Sequence, residues 1–151
     1  MRSILPQNGF YFITICTHNR QNLFAINEAD NTCNLLVKRW LFEIEAKFPD
    51  VTICKYVIMP DHIHFILSVK NGQSGTPVPT DETIKNDNKN SVIAKFISTF
   101  KRFSNKEYGE NIWQPRYYDH IIRNQKDYNE ILEYIENNPR KWILTKETQG
   151  V

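Results

Sequence analysis

The sequence predicts an α+β domain, and three observations carry that expectation. Residues Gly9 to Thr17 (GFYFITICT) form an aromatic and β-branched run of strand length. Asp30 to Phe48 and the segment from Ser91 onward space their apolar residues at helical intervals. Val51 to Ile58 and His62 to Val69 read as strands joined by the tight Met59, Pro60, Asp61 turn, a β-hairpin.

The opening run is almost continuously apolar, which places it in a sheet interior covered on both faces. In the first helix Leu35, Leu36, Trp40, Ile44 and Phe48 form the buried stripe, and Pro49 closes it. Asn71 to Asn90 carries Gly72, Gly75, Pro77 and Pro79 and then a polar stretch, the composition of a mobile loop. Val92, Ile93, Phe96, Ile97, Phe100 and Phe103 lie on one stripe of the next helix. Trp113 to Arg123 reads as a strand, and Lys126 to Asn138 as a helix stopped by Pro139. The order strand, helix, strand, strand, helix, strand is a ferredoxin-like split β-α-β sheet with helices on one face, followed by a C-terminal helix.

All 151 residues fit one domain, large enough to bury a core without disulfides or a structural metal. Hydrophobic residues at 40% and charged residues at 24% exclude a disordered or membrane-embedded chain. No window approaches the roughly 18 apolar residues of a membrane span, and Met1 to Phe12 lacks a signal-peptide pattern. Cys16, Cys33 and Cys54 show no paired spacing and suit a reducing compartment. A cytoplasmic protein without membrane attachment is expected. A net charge of +2 is too mild to announce a nucleic-acid binder. Lys95, Lys101, Arg102 and Lys106 nevertheless cluster without an intervening acid, as on a phosphate-binding helix or an ordinary solvated one.

Two constellations carry chemistry. A strand sends residues i and i+2 to one face, so His62 and His64 point together, opposite the apolar row Ile63, Phe65, Leu67 and Val69. Such a pair can chelate a divalent cation, though ordinary surface or core histidines show the same spacing. On the last helix, Tyr128, Ile131, Leu132 and Ile135 form the apolar stripe, while Glu130, Tyr134 and Asn138 share another face. Taken without context a helical tyrosine is ordinarily a packing residue; its combination with a two-histidine strand in a chain of this size raises the odds of a nucleophile. His18 and His120 read as structural histidines, and Trp113 and Trp142 as core. Tyr117 and Tyr118 alternate, so one is expected inside and the other free to stack on a base.

Val57 to His64 (VIMPDHIH), Trp113 to Arg123 (WQPRYYDHIIR), Tyr134 to Pro139 (YIENNP) and Phe12 to Arg20 (FITICTHNR) together resemble the HUH-type single-tyrosine transposases, in particular their REP-associated branch. The likeness runs in order over nearly the whole chain outside the Asn71 to Asn90 loop. It implies a catalytic helix bearing Tyr134 as nucleophile and a divalent cation, Mg²⁺ or Mn²⁺, on His62 and His64. The third ligand falls one helical turn beyond the tyrosine, at Asn138. Insertion-sequence relatives place Gln there, so Glu130 and Asn137 stand as substitutes. The resemblance further implies cutting of single-stranded DNA, on hairpin or repeat sequences, through a 5′-phosphotyrosine intermediate.

Lys95, Lys101, Arg102, Lys106 and Arg116 are the candidate phosphate contacts. A monomer is expected, with a homodimer that lends its tyrosine helix to the partner as the alternative. A rival reading keeps the fold as a non-cleaving, repeat-DNA-binding regulator. A small-molecule hydrolase is disfavoured, because no carboxylate stands at a clear third-ligand spacing from the hairpin.

Overall fold

The structure, a computed structural model, describes residues 8–26, 31–70 and 82–149, with side chains described for 9–26, 31–70 and 92–138. The apolar opening run forms β1 (Asn8–Cys16). Helix α1 (Thr32–Lys47) starts where the Asn31 side chain accepts the Asn34 N–H at 2.8 Å. Strands β2 (Val51–Met59) and β3 (His62–Lys70) make the hairpin, followed by α2 (Glu82–Tyr108), β4 (Tyr118–Ile122) and α3 (Gln125–Gln149). The sheet order is β2-β3-β1-β4, antiparallel throughout, which is the ferredoxin-like arrangement. β1 therefore sits inside the sheet, with both ladders satisfied.

Strand alternation divides the core in two. Tyr11, Ile13 and Ile15 of β1 and Ile63, Phe65, Leu67 and Val69 of β3 face α1 and α2, where Val37, Leu41, Ile93, Phe96 and Phe100 cover them. Phe10, Phe12 and Ile66 point the other way, together with Ile122 of β4, and meet Tyr128, Ile131, Leu132 and Ile135 of α3. Thus α1 and α2 share one face, and α3 closes the face that carries the histidines.

Several boundaries differ from the sequence reading. Leu35 is exposed, while α1 buries the expected Leu36 and Ile44 together with Val37 and Leu41. Helix α2 begins at Glu82 rather than Ser91, so the polar stretch 82–90 is helical; residues 71–81 of the expected loop lie outside the described residues. The strand read from Trp113 shrinks to Tyr118–Ile122, with Trp113 left in an isolated bridge to Thr17. Pro115 lacks the N–H that a continuous ladder would need. Helix α3 runs on through Pro139. A proline removes one helical hydrogen bond and strains the preceding turn, at about 3 kcal/mol, but leaves the following residues free to stay helical. The Trp142 side chain lies outside those described. Among the described residues no helix is long and apolar enough to cross a membrane.

Candidate active site

The face under α3 carries His62 and His64 at the start of β3, beside the hairpin turn, where β1 sets Cys16 opposite His62 and Thr14 opposite His64. Each imidazole is oriented through Nδ1. His62 Nδ1 lies 2.7 Å from Asp61 Oδ1, and since a carboxylate only accepts, that nitrogen carries the proton and Nε2 holds the lone pair. His64 Nδ1 lies 2.8 Å from Thr14 Oγ1. The two rings are 4.6 Å apart between centroids, at 70°. Asp61 is itself held by Arg20, whose Nε and Nη2 both lie 3.0 Å from Oδ2.

Electrostatics keep both rings neutral. Burial pushes His64 down to about 3, helped by the neighbouring His62. Burial also lowers His62, against the opposing pull of Asp61. Burial alone would raise the Asp61 carboxyl, but the hydrogen bonds from Arg20 and His62 outweigh it and hold it below its ordinary value. Neutral imidazoles backed by a carboxylate and a hydroxyl are the form in which histidine binds a metal.

Helix α3 supplies the other half. Asn124 caps its start by accepting the Asp127 N–H at 2.8 Å, and His120 of β4 bonds Asp127 at 2.9 Å, tying the helix to the sheet. Tyr128 packs edge-on against Phe10 at 5.4 Å, and Lys55 of β2 pairs with Glu136 at 3.4 Å. This docking sets the Tyr134 ring 5.5 Å from that of His64 and 6.1 Å from Phe12, while 43% of the residue stays exposed.

Two buried side-chain nitrogens among the described residues have no hydrogen-bond partner, His64 Nε2 and Asn138 Nδ2. Leaving a buried polar atom unsatisfied costs about 1–3 kcal/mol, so each such atom calls for an explanation. Both belong to the set that the sequence marks for a cation, and a turn of the Asn138 amide would present its oxygen instead. Among the described residues no three His, Cys, Asp or Glu side chains are grouped to hold a metal.

The family described as transposase IS200 like matches residues 7–138. The chain belongs to the IS200-like transposases. Among the relatives of this chain, an uncharacterized protein of Haemophilus influenzae is 36% identical over 154 residues, which cover 89% of this chain and 82% of the relative. The REP-associated tyrosine transposase of Escherichia coli is 28% identical over 142 residues, 91% of this chain and 71% of that one. A solved structure of a REP-associated tyrosine transposase bound to a REP hairpin aligns with a TM-score of 0.61 at 25% identity, over 93% of this chain and 72% of that chain. The resemblance read from the sequence holds.

Not every expected residue reaches this site. The stripe of α2 that carries Phe96 and Phe100 is buried on the opposite face of the sheet from the histidines, so exposed Lys95, Arg102 and Lys106 stand on a helix of that other face. Lys101 Nζ donates to the carbonyls of Gln114 at 2.7 Å and Arg116 at 3.3 Å, and burial pushes its pKa down; it is a strut under the segment leading to β4. Arg102 lies over the Phe103 ring at 5.1 Å. Arg116 is exposed on the segment before β4. The sequence reading missed Thr14, Arg20 and Asp61. Asp61 had a local signal, an acid directly before His62, whereas Thr14 and Arg20 meet the site only through strand pairing.

Proposed function

We propose that this transposase cuts single-stranded DNA through Tyr134, with a divalent cation, Mg²⁺ or Mn²⁺, on His62, His64 and Asn138. The observation that carries the proposal is the Tyr134 ring standing over His64, whose buried Nε2 has no partner. When bound, the cation supplies charge neutralisation and orientation at the scissile phosphate. Tyr134 Oη attacks the phosphorus and gives up its proton; the bond to the 3′-oxygen breaks, and that oxygen leaves as a 3′-hydroxyl after taking a proton. The product is a 5′-phosphotyrosine, and attack by a 3′-hydroxyl reverses the step without ATP. A tyrosine hydroxyl with an ordinary pKa of about 10 is a weak nucleophile, so placement beside a polarised phosphate matters more than its own basicity.

Hairpin or repeat DNA is the substrate class proposed, because a relative of this fold is solved with a REP hairpin. Exposed Lys95, Arg102, Lys106 and Arg116 then hold phosphates only of DNA that reaches beyond the cleavage centre. Docking of α3 on its own sheet supports a monomer with the site completed in cis. The test is incubation with labelled single-stranded oligonucleotides from the flanks of its own gene, with and without Mg²⁺, followed by denaturing electrophoresis. A covalent adduct that needs the cation and vanishes in Tyr134→Phe is expected. Tight binding without any adduct would instead favour the non-cleaving regulator.

A further inference from the structure

The histidine face extends past the site described above. Register carries the row from His64 through Thr14 to Tyr118 on β4, so the Tyr118 side chain emerges on the same side as the histidines. The two residues are two strand spacings apart, about 10 Å. At 68% exposed, Tyr118 is the most open large hydrophobic side chain among the described residues. Its chain neighbour Tyr117 packs against the core on the other side.

Exposure alone would mean little, since single surface aromatics are common. What distinguishes Tyr118 is its place in the row that carries His64, at the end of the sheet where Arg20 holds Asp61. Asn19 and Arg20, at φ 57° and 53°, are successive non-glycine residues in the left-handed region, which persists only where the surroundings over-determine it. The surroundings here are the Arg20 N–H on the Thr17 carbonyl at 3.0 Å and the guanidinium on Asp61. Arg20 thus spends one edge of its guanidinium on the residue that orients His62 and leaves its side chain 53% exposed. The Tyr118 phenol adds a small upward push to the Arg20 pKa, after the dominant hydrogen bond to Asp61.

We propose that Tyr118, together with Arg20 where it backs the Asp61–His62 pair, forms a nucleotide-holding subsite at the β4 side of the histidine face. The phenol ring stacks on the base adjoining the scissile phosphate, and the guanidinium attracts the backbone of that nucleotide. An open ring accepts any base face, which suits a single strand and not a paired duplex. The guanidinium, held on Asp61 next to His62, keeps the backbone turned toward the histidines. The subsite rests on the single-strand cleavage proposed above and adds the residues that place the strand.

The full chain is mixed, in excess chelator, with a random-sequence single-stranded DNA library carrying 5-iododeoxyuridine in place of thymidine. Near-ultraviolet irradiation then joins iodinated bases to the aromatic rings they stack on, and peptide mapping locates the joint. A crosslink on Tyr118 is expected, kept in Tyr118→Phe and lost in Tyr118→Ala. Loss of one stacked base weakens single-strand binding by about 5- to 150-fold in Tyr118→Ala, and the phenylalanine variant restores most of it. The ring is largely exposed, so both variants keep the wild-type unfolding midpoint. Wild-type affinity in Tyr118→Ala, or crosslinks that map elsewhere, overturns the subsite; if Tyr134 still forms its adduct, the cleavage reading survives that loss. A Tyr118 crosslink without an adduct under any cation keeps the subsite and removes the cleavage reading. No binding of single strands by the wild type removes both.

Discussion

Replacing His64 by Gln tests the burial of its imidazole through the pH dependence of folding. In the unfolded chain a histidine takes up its proton near 6.5, whereas in the fold burial holds His64 down to about 3. Between those values the unfolded chain binds more protons than the native one, so stability falls as pH falls. The residue is only 4% exposed, so little solvent screening moderates the effect. Lowering the pH from 7 to 5 then removes about 2 kcal/mol from the wild type that His64→Gln does not lose. Urea unfolding in excess chelator, run on both proteins at each pH, reads this as an extra midpoint shift of roughly 1 M. Asp61 and His62 are present in both proteins, so the difference between the two curves isolates His64. Parallel curves across the interval would refute the burial argument.

Asp61→Asn should weaken Mn²⁺ binding about 10- to 100-fold by calorimetric titration, because the amide carries no charge to back His62 or hold Arg20. Equal affinity would count against the orienting role of that carboxylate. Lys101→Met should lower folding stability by about 1–3 kcal/mol, since two carbonyls lose a charged donor. The salt dependence of DNA binding should stay as it is; a flatter slope would return Lys101 to the DNA interface. Mixing His64→Ala with Tyr134→Phe protein should not regain cleavage if α3 serves its own sheet, and recovered adduct formation would point to a shared site instead.

The parts of the fold that were legible in the sequence were those written in local periodicity. The almost unbroken apolarity of Phe10 to Ile15 placed β1 inside the sheet, and the alternation around Ile63 and Phe65 put His62 and His64 on the other face. Helix ends were less legible. Glu82 and Pro139 lie within helices although their local sequence suggests loop and stop, because contacts made elsewhere along a helix can offset a poor local preference.

The sequence by itself determined the element order, the side of β3 that carries the histidines and the apolar stripe with which α3 meets the sheet. These depend on periods of two and about 3.6 residues, which any stretch of chain carries within itself. The tertiary structure alone decided that Tyr134 comes to rest against His64, that Thr14 and Asp61 orient the two rings, and that Arg20 backs Asp61. It also turned the basic stretch of α2 to the far face, where Lys101 became a strut. Each of these depends on which strand pairs with which and on which side a helix docks. Such choices minimise exposed apolar surface over the whole domain, and no single segment contains them.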